Sequence, residues 1–218
     1  MEEKQGKAEV TIMKKIWDYI KPFWLFVLVF VILLIIDLVT KHVFIGFEER
    51  TFIPRVISIH YTQNRGVAFG WLYGAGIWLI LLTAFLSIVG FAFYIFYRRV
   101  FIRKSKKIIN CDKENIQSED IIPNKSLRRN LRLFDVAFAF FLAGALGNLV
   151  DRIFLGYVRD FLRFDFMNFP VFNLADVFIN VGVLMIAIFF AIEIIKDFKK
   201  EKALKKSKQI SEVQDGKD

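Results

Sequence analysis

Long apolar runs alternate along the chain with shorter polar segments. The four runs are about Pro22 to Phe44, about Trp71 to Tyr97, about Leu133 to Val150, and about Ala175 to Ile195. Each is close to the roughly 20 residues that a helix needs to cross a hydrocarbon core about 30 Å thick. The pattern predicts an all-α membrane protein with four transmembrane helices, and the first run predicts a retained helix rather than a cleaved signal peptide.

A different pattern lies between the first two runs. Residues 48–62 contain β-branched and aromatic residues that partly alternate with polar ones. This predicts a small β element at the outer surface, where Pro54 is restricted to an edge or a break. An extended segment of this kind could pair with a substrate backbone by strand addition.

The basic residues predict the orientation. Five of the 31 Lys and Arg residues lie in 1–21, eleven in 98–132 and eight in 196–218. By the positive-inside rule, both termini and the 98–132 segment are cytoplasmic, and the other two loops lie outside. We expect a cytoplasmic arm over 1–21, a four-helix transmembrane domain over 22–197 with a flexible polar insert at about 98–132, and a basic tail over 198–218 that extends the last helix.

The composition of the chain limits the partners and cofactors that it could use. Hydrophobic residues make up 56% of the chain, so membrane lipids are its expected surroundings, and its net charge of +9 indicates contact with anionic headgroups rather than nucleic acid. The single cysteine, Cys111, excludes an intrachain disulfide. His42 and His60 are too few and too isolated for a typical zinc site. We therefore expect no metal and no cofactor.

Polar residues gather where the apolar runs meet the outer side. Asp37 and Lys41 share one face of the first helix at i, i+4 spacing, which suits either an interfacial ion pair or a functional role. A stripe on the third helix is either a packing seam with a polar end or a set of donors for a substrate. Its members are Gly144, Gly147, Asn148, Asp151 and Arg152.

Two further carboxylates, Asp160 and Asp176, flank a short Phe-rich outer loop. Asn173 is placed to cap the fourth helix, which would put Asp176 in its first turn. Two carboxylates near a low-dielectric boundary cannot both ionise easily, so one of them holds a proton, as in an aspartic protease. The residues alone do not assign that proton to either aspartate.

Five blocks together resemble the signal peptidase II (lipoprotein signal peptidase) family of intramembrane aspartyl proteases. They are Asp37 to Lys41, Asn64 to Gly70, Gly144 to Arg152, Val158 to Phe161, and Phe172 to Asp176. The resemblance implies a monomeric enzyme of the bacterial plasma membrane that cleaves diacylglyceryl-modified prolipoproteins before the lipidated cysteine, near the outer face. It implies Asp160 and Asp176 as the catalytic pair, supported by Asp37, Lys41, Asn64, Gly66, Ala68, Asn148, Asp151, Arg152 and Asn173.

Two other classes remain open at this point. A proton- or cation-coupled transporter could use the same aspartates, but it predicts ionisable groups near the bilayer midplane and repeated halves. A membrane adaptor could use the basic loop for partners, but it leaves the polar motifs on the opposite side unexplained.

Overall fold

The computed structural model describes residues 23–66, 76–115 and 124–215. Within these residues the elements follow in the order α1 (Trp24–Val43), β1 (Arg50–Ile53), β2 (Ile57–Asn64), α2 (Gly76–Asn115), α3 (Asn124–Leu155), β3 (Val158–Phe164) and α4 (Leu174–Asp215). All four helices contain a segment long and apolar enough to cross a membrane: Trp24–Val43, Gly76–Val100, Arg129–Leu155 and Leu174–Lys199. The predicted fold class is confirmed.

Helix α3 is the centre of the bundle. Of its apolar segment, 67% is buried within the protein, against 22% in α1 and 17% in both α2 and α4. The outward side chains of the other three helices are mostly apolar, so they suit contact with lipid tails. Residues that project from α3 are therefore positioned from several sides at once.

Small residues bring α3 close to its neighbours. A Cβ on Gly144 would overlap the backbone carbonyl oxygen of Ala175 in α4, and a Cβ on Gly147 would overlap the carboxylate of Asp37 in α1. Both positions require glycine because the neighbouring atoms are backbone or a buried side chain. The stripe on α3 thus includes a packing seam.

Aromatic side chains fill the half of the bundle remote from the sheet. Tyr94 is fully buried there, and its ring stacks on those of Phe26 and Phe134 at centroid distances of 4.6 and 5.7 Å. The Tyr94 hydroxyl donates to Asp135 Oδ1 over 2.8 Å, and Arg98 Nε donates to the same oxygen over 2.9 Å. This buried polar cluster links α2 to α3.

Helical structure reaches further into the polar segments than their composition predicts. α2 continues to Asn115 and α3 begins at Asn124, so both ends of the 98–132 segment are helical. The tail after the last apolar run is also helical as far as the described residues reach, since α4 continues to Asp215. The arm at 1–21 and residues 116–123 lie outside the described residues.

A three-stranded antiparallel sheet caps one end of the bundle, in the order β1-β2-β3. Strands β1 and β2 are the predicted β element, and Pro54 lies in the turn that joins them. β3 is an addition, because residues 158–164 were expected only as loop. Its pairing with β2 shifts register between Ile59 and Thr62, and this irregularity places Thr62 opposite Asp160.

Candidate active site

Asp160 lies in β3 with its carboxylate turned into the protein. The residue is only 2% exposed. Asn64, at the end of β2, donates from Nδ2 to Asp160 Oδ2 over 2.9 Å. Asn173 donates from Nδ2 to Asp160 Oδ1 over 2.6 Å. Each carboxylate oxygen therefore has an amide donor, which fixes the plane of the carboxylate.

Asp176 stands in the first turn of α4. Asp176 Oδ2 accepts the backbone N–H of Asn173, and Asn173 Oδ1 accepts the backbone N–H of Asp176, each over 3.1 Å. This reciprocal pair is a capping box, so the predicted cap is present and also holds the Asp176 side chain. The other oxygen of Asp176 accepts from Asn148 Nδ2 over 2.8 Å.

Asn173 links the two carboxylates directly, with its side-chain amide on Asp160 and its backbone N–H on Asp176. Both aspartates line one cavity of about 640 Å³. Burial, and then the negative charge of Asp176, together raise the pKa of Asp160 to about 7, against the lowering effect of the amide donors. Near neutral pH, Asp160 can therefore hold or release a proton.

Behind the carboxylates lies a buried ion pair. Lys41 Nζ lies 2.8 Å from Asp37 Oδ2 and 2.9 Å from Asn148 Oδ1, and both charged side chains are fully buried. Asp37 Oδ1 also accepts the backbone N–H of Ala175 over 2.9 Å. The predicted ion pair is thus present, and it is buried in the bundle interior, where α3 and α4 cover it.

These contacts assign the positions of the oxygen and the nitrogen of the Asn148 side-chain amide. Its oxygen accepts from Lys41 and, over 3.1 Å, from Asn173 Nδ2. An oxygen that faces two donors leaves the Nδ2 group to face Asp176. The helix-three stripe is therefore both a packing seam and a source of donors.

Arg152 and Asp151 point to different sides of the site. Arg152 lines the cavity, and its guanidinium makes long contacts of 3.4 Å with the backbone oxygens of Gly66 and Asn148. Asp151 is buried against Arg159 and lies 3.8 Å from Lys41 Nζ. The backbone N–H of Gly66 donates to Asn64 Oδ1 over 2.9 Å, and this contact holds Gly66 beside the site.

The predicted site residues that the structure describes lie close together. Ala68 and the rest of its block after Gly66 lie outside the described residues. Arg159 was not singled out from the sequence, because it precedes Asp160 in a strand and meets Asp151 only after the chain turns at Gly156 (φ 78°). The sequence signal that could have indicated this contact is an arginine eight residues after an acidic residue.

The remaining wall of the cavity is mostly apolar, with Thr83 of α2 and Asn180 of α4 as its further polar residues. It extends from the carboxylates down between α2, α3 and α4 and under the outer loop. Its apolar lining includes Leu79, Leu82, Leu86, Phe141, Ala145, Phe164, Phe169, Pro170, Val177 and Ile179. Within the described ranges, no group of three or more His, Cys, Asp and Glu side chains is arranged to hold a metal ion.

Comparison with known proteins gives a consistent result. The family model described as "Signal peptidase (SPase) II" matches residues 29–111 and 121–192. A lipoprotein signal peptidase of Enterococcus faecalis is 35% identical over 161 residues, covering 74% of this chain and 77% of the relative. One of Microcystis aeruginosa is 39% identical over 171 residues, covering 76% and 89%.

Solved structures agree with the sequence relatives. A bacterial membrane enzyme determined by the in meso method at 2.3 Å resolution superposes with a TM-score of 0.57 at 26% identity, covering 80% of this chain and 90% of the other. A second such structure, at 1.9 Å resolution, gives a TM-score of 0.54 at 27% identity, with coverage of 75% and 90%.

The fold and the site define a class: multi-pass membrane proteins that carry paired carboxylates at one end of an apolar cleft. The match of the family model to most of the chain then identifies the protein family. The chain belongs to the signal peptidase II family, and it is a membrane protease. The transporter interpretation is not favoured.

Proposed function

We propose that this protein removes the signal peptide from diacylglyceryl-modified prolipoproteins by an aspartyl mechanism, cutting before the lipidated cysteine. The observation that carries the proposal is the pair of carboxylates, Asp160 and Asp176, held by Asn173 at the polar end of an apolar cavity. Family membership supports the substrate class, since the relatives are lipoprotein signal peptidases. The cut itself would occur near the outer membrane face, with both termini cytoplasmic.

The cavity suits a substrate that is polar at one point and apolar elsewhere. Its polar end contains Asn64, Asn148 and Arg152 beside the two aspartates, and the remaining wall is mostly apolar. A signal helix and two acyl chains could lie along the apolar wall, which would place the scissile peptide at the carboxylates. Holding reactants in this way contributes more to rate than either carboxylate alone, because oriented groups reach effective molarities of about 10⁵–10⁸ M.

We infer the two roles from the environments of the two carboxylates. Asp176, at a helix N-terminus with a donor on each oxygen, is the ionised base. Asp160, buried and facing the Asp176 charge, has a pKa raised to about 7 and is the acid. Asp176 takes a proton from water as the water oxygen bonds to the scissile carbonyl carbon, while Asp160 gives its proton to the carbonyl oxygen.

The tetrahedral intermediate then collapses without a covalent acyl-enzyme. The C–N bond breaks, and the proton held by Asp176 passes to the leaving nitrogen, which becomes the amine of the lipidated cysteine. The carbonyl re-forms as the new carboxyl of the signal peptide, and a proton returns to Asp160. One water is consumed, and general acid and base assistance of this kind contributes about 10²–10⁴ in rate.

The test is cleavage of a synthetic diacylglyceryl-cysteine prolipoprotein peptide by the purified full chain, with and without EDTA. We expect EDTA-resistant cleavage before the lipidated cysteine, lost in Asp160→Asn and in Asp176→Asn, because an amide can neither act as the base nor share the proton. Asp165→Asn is the matched control: this aspartate lies in the segment after β3 but binds Ser58 and Arg163 instead of facing the cavity. Full activity in either dyad variant would remove that aspartate from the mechanism.

A further inference from the structure

The contact between Asp151 and Arg159 is unusually complete. Arg159 donates to Asp151 from its backbone N–H (3.0 Å), from Nε (3.2 Å) and from Nη2 (2.7 Å), so one residue supplies three donors to one carboxylate. Asp151 is 1% exposed at its side chain and Arg159 11%. A bidentate contact of this kind fixes orientation as well as distance.

The contact joins the last turn of α3 to the start of β3. Between them the chain reverses through Gly156, whose φ of 78° is a conformation that glycine adopts readily. Because glycine has more backbone freedom than other residues, the contacts of the strand beyond the turn help to set the position of β3 relative to α3. The Asp151 carboxylate holds both the backbone and the side chain of Arg159.

Asp160 is the next residue, so its position is set directly by this anchor. The carbonyl oxygen of Arg159 also accepts from Asn173 Nδ2 over 3.4 Å, and the same nitrogen donates to Asp160. On the other side, Arg159 is opposite Gln63, and Asp160 is opposite Thr62, in the pairing with β2. The peptide unit between Arg159 and Asp160 is therefore fixed by α3, β2 and the α4 cap.

We propose that Arg159 is a positioning residue for the reaction: through its bidentate contact with Asp151, it fixes the distance and angle of the Asp160 carboxylate relative to Asp176. The proposal rests on the proposed function. A displacement of about 1 Å in a reacting group can lower the rate by about 10²-fold, so a loosened strand would lower kcat. Substrate binding along the apolar wall would be little affected, because Arg159 is absent from the cavity lining.

The alternative is an ion pair that only stabilises the fold. It predicts less folded enzyme at a given temperature, but unchanged kcat and an unchanged pH profile for each folded molecule. A positioning role predicts a change in both. Asp160 would also become more hydrated if its strand moved, while the other charges that face it, those of Asp176 on α4, Arg152 on α3 and Lys41 on α1, stay in place.

The experiment compares Arg159→Lys and Arg159→Gln with wild type in full-length protein, with activity corrected for the folded fraction. Lysine keeps the charge but cannot make the bidentate contact, so it separates geometry from charge. Arg163→Gln is the control, because Arg163 lies in the same strand and pairs with Glu49 and Asp165 at the exposed surface. We expect kcat to fall at least about tenfold in both Arg159 variants with KM within about threefold, and no change in the control.

A double-mutant cycle with Asp151→Asn tests whether Arg159 acts through Asp151. If Arg159 acts through Asp151, the double variant Asp151→Asn/Arg159→Gln should be no slower than the slower single variant. Additive losses, or a wild-type kcat and pH profile in folded Arg159→Lys, would overturn the proposal. If Arg159→Gln does not fold, Arg159→Lys alone still decides.

A measurement without turnover separates this proposal from the proposed function. Failure of wild type to cleave the lipidated peptide would contradict the proposed function alone. The protonated-carboxyl infrared band of Asp160, assigned by its loss in Asp160→Asn, can be followed against pH without substrate. We expect its midpoint to shift to lower pH in Arg159→Lys, and an unchanged midpoint would overturn the positioning role.

Discussion

Lys41 Nζ lies 2.9 Å from Asn148 Oδ1, although the two residues are far apart in the chain. This contact decides which end of the Asn148 amide faces Asp176, because an ammonium group can only donate and so must meet the oxygen. The Nδ2 group is then directed at Asp176 Oδ1, 2.8 Å away. A lysine that never reaches the cavity thus determines a donor to a carboxylate of the candidate dyad.

Replacing Lys41 with methionine should therefore lower kcat at least about tenfold, because the Asn148 amide loses the charged and shorter of the two donor contacts that fix its orientation. It also leaves the Asp37 carboxylate buried without its cation, so stability should fall too. Cleavage of the lipidated peptide and thermal unfolding in detergent measure the two effects separately.

The double variant Lys41→Met/Asp37→Asn separates the two causes. Removing both charges should restore much of the stability, while kcat stays low because Asn148 is still not oriented. A double variant with wild-type kcat would show that Lys41 serves only to neutralise Asp37.

The pH dependence follows from the environment of Asp160. Burial, and then the charge of Asp176, raise the pKa of Asp160 to about 7, so the acid form is present below that pH and lost above it. We expect kcat/KM to fall as pH rises through about 7, by about tenfold per further unit once both carboxylates are ionised. A profile measured from about pH 5 to 9 checks this, and a flat profile up to about pH 9 would contradict the assignment of Asp160 as the acid.

The Asn64→Leu variant tests the direction in which the pKa of Asp160 shifts. Asn64 Nδ2 donates to Asp160 and lowers the pKa of that carboxyl. Its removal should move the alkaline limb to higher pH, even if the maximal rate decreases. A limb that stays in place or moves down would mean that the titrating group is not Asp160.

The sequence predicts the helices and the polar motifs well, because both signals are local. An apolar run of about 20 residues is sufficient evidence for a spanning helix, and a cap such as Asn173 with Asp176 is readable over four positions. Burial of the Asp37 and Lys41 pair is not readable in this way. It depends on α3 and α4 lying against α1, which the spacing of two residues does not contain.

Strand β3 and the contact between Arg159 and Asp151 were missed for the same reason. The partner of β3 is β2, about a hundred residues earlier, and residues 158–164 do not alternate polar and apolar positions. Phe161 illustrates the consequence: in the sequence it is one aromatic of the Phe-rich loop, but in the fold it is buried and stacks on Phe44 at 4.7 Å. Non-local pairing decides such positions, and a single sequence carries little of it.

The close approach of α3 to α1 makes a further prediction. Gly147→Ala should abolish cleavage, because the added methyl group overlaps the Asp37 carboxylate and displaces its pair with Lys41. Gly76→Ala is the control, since a Cβ at Gly76, in the first turn of α2, meets no atom of the described residues within 4 Å. Assay of both variants on the lipidated peptide, alongside their thermal unfolding, distinguishes them; normal activity in Gly147→Ala would mean that α1 and α3 can separate without harm.

The buried cluster at the other end of the bundle should govern stability rather than chemistry. Arg98→Met leaves the Asp135 carboxylate buried with the Tyr94 hydroxyl as its remaining described donor, and breaking a buried pair costs about 3–5 kcal/mol of unfolding free energy.

The double variant Arg98→Met/Asp135→Asn should recover part of that loss, because the amide is neutral and its oxygen can still accept from Tyr94. Lys196→Met is the exposed control, where loss of the pair with Glu193 should change stability by less than about 1 kcal/mol. Equilibrium unfolding in detergent measures all three, with kcat of the folded fraction expected to stay at the wild-type value because the cluster does not line the cavity. If Arg98→Met instead lowered kcat without lowering stability, the position of α2 against α3 would be part of the active site.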